Sequence, residues 1–142
     1  MEIRENLLEK YFAVKVKDPY KLSHDLIHAS YKYGKVIEHE NTIQASGPRT
    51  SSRIKFTIKK EIDKFTILFA DVSAEGDSLL EELSVAVMIN VSSELPEARG
   101  LMTGIFHQNY LDRTYSKMKQ HAAEIAAQII DDYQRILENQ LL

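Results

Sequence analysis

Residues 52–62, SRIKFTIKKEI, decide the fold class of this chain, because apolar and polar side chains alternate along them. Ile54, Phe56 and Ile58 fall on one side of an extended chain, with charged residues and a threonine between them. A period of two predicts a strand with one buried face and one exposed face. Such half-buried strands are typical of antiparallel sheets.

More strands are predicted on both sides of this segment. Residues 65–74, FTILFADVSA, are apolar on both faces, which favours a central strand. Residues 11–17, 35–46 and 80–91 also have strand patterns, and residues 99–106 are a candidate for one more. Because the connections between the later strands are short, we expect an antiparallel meander and not β-α-β crossovers.

The N-terminal part of the chain also contains one predicted helical turn and one predicted helix. Residues 2–10, EIRENLLEK, are interpreted as a short helical turn. Residues 20–33 have apolar side chains at helical spacing, and Asp18 stands before them as an N-terminal cap. Gly34 stands where a glycine cap usually ends a helix.

The last third of the chain predicts a long amphipathic helix from Tyr110 to about Leu137. Asn109 and Asp112 resemble a capping pair at its start. We therefore expect one α+β domain over residues 1–142, in which an antiparallel sheet packs on a long C-terminal helix.

Composition excludes several classes of protein. The 142 residues include no cysteine, which excludes a disulfide framework, a thiolate zinc site and a cysteine nucleophile. The longest apolar run, Val85 to Val91, is too short to cross a bilayer, and no secretion signal is evident. The chain has no phosphate-binding glycine-rich loop and no nucleophile-elbow motif. We expect a cytoplasmic protein without a cofactor and without membrane insertion, more typical of a binding protein than of an enzyme.

Charge is unevenly distributed along the chain. Residues 1–64 carry 13 basic and 9 acidic side chains, whereas residues 71–98 carry 7 acidic side chains and no basic one. Neighbouring strands that neutralise each other would explain these blocks, and so would complementary surfaces of two subunits. The net charge of −3 and the lack of interleaved aromatic residues argue against nucleic acid as a partner. The basic side chains considered for contact with nucleic acid lie on and around the predicted strand at residues 52–62; they are Arg49, Arg53, Lys55, Lys59, Lys60 and Lys64.

The order strand, helix, antiparallel meander and long C-terminal helix resembles the helix-grip fold of the START/polyketide-cyclase-like superfamily. The resemblance covers most of the chain and rests on the order of elements, without a sequence motif. The chain has five predicted strands where that family usually has about seven, and one predicted short helix where it usually has two. The resemblance implies an apolar ligand held between the sheet and the C-terminal helix.

Several polar and aromatic residues are candidates for such a ligand site. If Ile37 and Ile43 face inward, alternation places His39 and Asn41 on the same inner face. These polar groups need partners if they are buried. His121 or a ligand could supply them, although a satisfied core histidine is the alternative. Candidates on or near the long helix are Tyr110, Tyr115, Met118 and Tyr133, with Met88 opposite them on the sheet, and an ordinary core would use the same residues.

A second candidate site lies in the segment His24-Asp25-Leu26-Ile27-His28. His24 and His28 are one helical turn apart, a spacing that lets two imidazoles reach one metal ion. The segment mimics the metalloprotease pattern HExxH with aspartate in place of glutamate. No third ligand stands at a characteristic spacing, and two solvated histidines on a helix flank are the alternative.

Three functions follow from these observations. The first is a non-catalytic binding module that holds a small apolar or amphipathic ligand between sheet and helix. The second is a homodimeric interaction protein or chaperone-like protein, since the chain is similar in size and acidity to small secretion chaperones. The third is a metal-dependent hydrolase that uses the HDLIH segment.

Overall fold

The strand that is apolar on both faces lies at the centre of a five-stranded antiparallel sheet, as predicted. The structure is a computed structural model that describes residues 2–15, 19–46, 49–77, 82–94 and 115–140. Its elements in chain order are β1 (Glu2–Lys15), α1 (Pro19–Ser30), β2 (Lys35–Ser46), β3 (Arg49–Glu61), β4 (Thr66–Asp77), β5 (Glu82–Glu94) and α2 (Ser116–Gln140).

The strand order β1-β5-β4-β3-β2 combines a meander with one longer connection. Strands β2 to β5 pair with their sequence neighbours, and β1 pairs antiparallel with β5. The predicted meander and the α+β class are therefore confirmed. The candidate strand at residues 99–106 lies outside the described residues.

The predicted helical turn at residues 2–10 is wrong, because these residues form the first part of β1. Their backbone pairs with β5 from Glu2 opposite Glu94 onward. The register shifts between Asn6 and Leu8, which marks a bulge. Strand pairing supplies backbone hydrogen bonds that a single helical turn could not match, since nucleating an isolated turn is unfavourable.

One face of the sheet carries the hydrophobic core, and both helices pack against it. We call this the inner face, and the face away from the helices the outer face. The alternation predicted for residues 52–62 is confirmed, because Ile54, Phe56 and Ile58 are all buried on the inner face. The two helices contribute further buried side chains to this core: Leu22 and Leu26 of α1, and Ala122, Ala126, Ile129, Tyr133 and Leu137 of α2.

Helix α2 has 25 residues and is about 37 Å long at 1.5 Å per residue. Its buried residues recur every three or four positions, which is the predicted amphipathic stripe. The predicted start at Tyr110 and the capping pair of Asn109 and Asp112 lie outside the described residues. An ion pair between Lys119 and Glu5 connects the first turn of α2 to β1.

Gly34 has a different role from the predicted helix cap. Helix α1 ends at Ser30, and a turn precedes Gly34. A Cβ atom on Gly34 would lie 2.5 Å from the backbone oxygen of Lys59. Glycine is required here because the chain passes directly over the backbone of β3.

Candidate ligand-binding site

Between α2 and the inner face, where the sequence predicts a ligand, the described residues include a cluster of buried side chains that forms the hydrophobic core. Tyr133 is fully buried and its hydroxyl contacts Ser30 Oγ at the end of α1. Ser30 Oγ donates its proton to the carbonyl of Leu26 at 2.7 Å, so the tyrosine hydroxyl is the donor to Ser30. Burial raises the pKa of Tyr133. Tyr133 therefore has a structural partner.

The predicted inward orientation of His39 is wrong. Residue 39 lies at a bulge in β2, because the register with β3 shifts between Glu38 and Glu40. The extra residue reverses the alternation of faces at this point. His39 Nε2 lies 2.7 Å from Thr57 Oγ1, and Thr57 is on the outer face. Ile37, which also pairs on that side, is 37% exposed.

The remaining predicted site residues do not converge with His39. Asn41 pairs with Ile54 at the edge of the sheet and is exposed. Tyr115 is buried and Met118 is half-buried at the start of α2. His121 is exposed and lies 3.9 Å from Glu124 on the same helix. Tyr110 lies outside the described residues. Of the described members of this set, His39 is on the outer face, whereas Tyr133 is buried between the inner face and the helices.

The HDLIH segment forms part of α1, as the helical spacing predicts. The rings of His24 and His28 stack on each other with centroids 6.5 Å apart, and both side chains are exposed. His28 also meets Tyr31 edge-on. No group of three histidine, aspartate or glutamate side chains that could hold a metal ion occurs within the described ranges.

A depression crosses the outer face of the sheet, where small side chains stand between large ones. Tyr11 of β1 pairs with Ala86 of β5. Ala86 pairs in turn with Ser73 of β4, and Ser73 pairs with Lys55 of β3. Tyr11 and Lys55 stand about 14 Å apart, three strand spacings, and the two small side chains form the floor between them. The cavity, which we call the outer groove, has a volume of about 410 Å³.

One wall of the outer groove is a chain of hydrogen bonds across three strands. Thr57 Oγ1 donates to Asp71 Oδ1 at 2.6 Å. A hydroxyl group has only one proton, so Thr57 must accept its second hydrogen bond from His39 Nε2. His39 is thereby held with its proton on Nε2. It cannot take a proton from Thr57, so this arrangement is suited to binding and not to activating the hydroxyl as a nucleophile.

The opposite end of the outer groove is apolar. Tyr11 and Met88 are 70% and 39% exposed, which is unusual for large apolar side chains. Met88 therefore lies on the outer face, and its expected position opposite α2 is wrong. A second depression of about 370 Å³ shares Tyr11, Ser73 and Ala86 with the outer groove. Together the two extend the apolar surface along β1 and β5.

Two basic side chains of β3 have different surroundings on this face. Arg53 Nε lies 3.2 Å from Glu75 on β4, and a guanidinium nitrogen lies 4.0 Å from Glu40 on β2. Opposite charges on neighbouring strands thus neutralise each other here, as one interpretation of the charge blocks predicts. Lys55 lines the outer groove and forms no ion pair with any side chain that the structure describes.

A separate polar cleft of about 490 Å³ lies between the turn after α1 and the helix α2. Asp132 accepts hydrogen bonds there from Lys32 and Tyr33. Burial raises the pKa of Asp132, but these two hydrogen bonds together with the positive charges of Lys32 and Arg135 hold that pKa below its usual value. Burial and the contact with Asp132 raise the pKa of Tyr33. The carboxylate of Asp132 thus connects α2 to the turn after α1.

Sequence reasoning missed most residues of the outer groove. One signal was present: the outward positions of β5, from Ser84 through Ala86, Met88 and Asn90 to Ser92, carry no charge. An exposed strand face normally carries charged side chains, so an uncharged row indicates a binding surface. The pairing that adds Tyr11 and Lys55 to this row is not visible in the sequence.

No described helix is long and apolar enough to cross a membrane. Comparison of the chain with protein-family models finds no match, and comparison with curated proteins finds none either.

Proposed function

We propose that this protein is a non-catalytic binding module of helix-grip type that binds a small ligand in the outer groove. The observation that carries the proposal is the pair of small side chains, Ser73 and Ala86, between the walls formed by Tyr11 and Lys55. Small-molecule sites commonly have volumes of about 300–1,000 Å³ and combine apolar walls with a few fixed polar groups. The outer groove, at about 410 Å³, has both.

The hydrogen-bond chain of His39, Thr57 and Asp71 supports a binding role. Thr57 is only 8% exposed although it lies on the outer face. Its hydroxyl holds both neighbouring side chains, so the polar wall is ordered before a ligand arrives. A preorganised wall lowers the entropic cost of binding. Kinship with the START/polyketide-cyclase-like superfamily is part of this proposal, and the strand order with a C-terminal helix supports it.

The proposal is tested by filling the groove. Ala86→Phe places a ring on the groove floor without entering the core, because Ala86 faces outward. The matched control is Ala123→Phe, at an exposed position of α2. The probe is Nile red, a neutral apolar dye whose fluorescence rises on binding. We expect saturable binding to the unmodified protein and to the control, and at least about fivefold weaker binding to Ala86→Phe. Equal binding to all three proteins, or no binding to any, would contradict the proposal.

A homodimer formed through the outer face is the second candidate function. The exposed side chains of Tyr11, Met88 and Ile37 support it, since large apolar groups on one face often mark a protein interface. Sedimentation velocity over a range of protein concentrations separates the two candidates. A dimer that dissociates in Ala86→Phe but not in Ala123→Phe favours the interface, whereas a monomer that binds Nile red favours the ligand site.

A further inference from the structure

The outer groove changes in polarity from one end to the other. Its end on β1 and β5 is formed by Tyr11, Ala86 and Met88, none of which is charged at neutral pH. Its end on β2 and β3 contains His39 and Lys55. A ligand that fills this space with matched surfaces is amphipathic, with its apolar part toward β1 and its polar group toward β3.

The charge at the polar end indicates the sign of the ligand's polar group. Lys55 is half-buried and stands opposite Glu40 of β2, but the Glu40 carboxylate lies 4.0 Å from Arg53, and no described carboxylate forms an ion pair with Lys55. An ammonium group that forms no ion pair with a described side chain gains from a bound anion. A negatively charged ligand group would complete this end of the groove.

The same end of the groove limits the amount of that negative charge. Asp71 also lines the groove, and one of its oxygens accepts the proton of Thr57. Its negative charge is therefore only partly compensated. One unpaired ammonium next to one carboxylate favours a singly charged group such as a carboxylate over a doubly charged phosphate, because like charges at short range repel.

We propose that the ligand of the outer groove is an amphipathic monocarboxylate, whose carboxylate is bound by Lys55 and whose apolar chain lies on Ala86 and Met88 against Tyr11. This inference rests on the proposed function and adds the chemical class of the ligand. The backbones of β1 and β3 are three strand spacings apart, about 14 Å, which sets the scale for an extended alkyl chain of about ten carbons.

Three probes with the same chain length test the ligand class at neutral pH: decanoate and decyltrimethylammonium, each below its micelle concentration, and decan-1-ol below its solubility limit. The readout is the methyl resonance of Met88 in protein labelled at its methionine methyl groups, with the Met118 methyl as internal reference. We expect decanoate to bind about fivefold to tenfold more tightly than decanol, and the cation to bind most weakly.

Two variants separate the groove from its charge. Lys55→Gln should abolish the preference for decanoate and leave decanol binding unchanged. The control is Lys59→Gln. Lys59 lies four residues further along β3 on the same face, opposite Phe69, and this variant should keep the preference. If decanol binds as well as decanoate in every protein, or if the cation binds best, the ligand class is wrong and the groove stands. If no probe shifts Met88, or if Ala86→Phe binds all three unchanged, the proposed function fails as well.

Discussion

Tyr133 in the middle of α2 donates a hydrogen bond to Ser30 at the end of α1, and both side chains are fully buried. Ser30 in turn donates a hydrogen bond to the carbonyl of Leu26, one turn earlier in α1. The adjacent residue Asp132 binds Lys32 and Tyr33 in the turn that follows α1. Two consecutive residues of α2 therefore hold the end of α1 and its following turn over the inner face.

The direction of the hydrogen bond between Tyr133 and Ser30 predicts unequal effects of removing either partner. Ser30→Ala leaves the tyrosine hydroxyl buried without an acceptor, which costs about 1–3 kcal/mol in the free energy of unfolding. Tyr133→Phe leaves Ser30 bound to Leu26 and costs about 0.5–1.5 kcal/mol. The double variant should lose less than the sum of the two. Urea unfolding measures all three, with the exposed Tyr31→Phe as control. Additive losses would contradict a direct bond.

Stability should fall at alkaline pH because two tyrosines have raised pKa values in the folded protein. Burial raises the pKa of Tyr33 and of Tyr133, and Asp132 adds to both shifts. In the unfolded chain a tyrosine loses its proton near pH 10. The stabilising contribution is complete below that pH and is lost as the pH rises toward the folded pKa values.

Urea unfolding at a series of pH values above 9 measures this loss. Tyr133→Phe should weaken the pH dependence, because one of the two groups no longer titrates, whereas Tyr31→Phe should leave it unchanged. An identical pH dependence in the unmodified protein and in Tyr133→Phe would show that Tyr133 does not contribute.

The close approach of Gly34 to β3 predicts that even one methyl group is harmful there. Gly34→Ala places Cβ 2.5 Å from the backbone oxygen of Lys59, and a backbone atom cannot rotate away. We expect a loss of about 1–3 kcal/mol in unfolding free energy, the usual cost of overpacking. Lys35→Ala, at the next residue and exposed, is the control. A loss no larger than in the control would show that β2 and β3 can separate without cost.

The hydrogen-bond chain in the outer groove predicts the tautomer of His39. Because Thr57 donates its only hydroxyl hydrogen bond to Asp71, it must accept one from His39. Neutral His39 should therefore carry its proton on Nε2 alone. Two-bond proton–nitrogen correlation spectra distinguish the tautomers. Thr57→Val removes the acceptor with little change in shape and should let His39 sample both tautomers, as an unconstrained imidazole does. The exposed His24 serves as reference within the same spectrum. A mixture of tautomers in the unmodified protein would mean that Thr57 does not hold the ring.

Alternation within single strands was readable from the sequence, and alternation across a bulge was not. Ile54, Phe56 and Ile58 have the predicted inward orientation because β3 itself contains no extra residue and pairs with β4 without a register shift. His39 faces outward because one extra residue in β2 reverses the pattern. Nothing in the composition of residues 35–46 marks the position of that extra residue, since the bulge arises from how β2 meets β3.

The outer groove could not be predicted because its walls and floor are distant in the chain. Tyr11 and Lys55 come from different strands. Ala86 becomes the neighbour of Tyr11 only through the pairing of β1 with β5. Ser73 links Ala86 to Lys55 only because β4 pairs with both β5 and β3. The strand propensity of residues 2–10 was hidden for the same reason. Their conformation depends on β5, about 80 residues later in the chain.

By itself, the sequence determined the α+β class, the central position of β4 and the buried stripe of α2, because each depends on a periodic pattern within one element. The tertiary structure decided which face His39 occupies, why Gly34 must be glycine, and that Tyr11, Ser73, Ala86 and Lys55 form one groove. These features depend on register and on close approach between elements. Local periodicity records which side of an element is apolar, and it carries no information about which residue of another strand stands opposite.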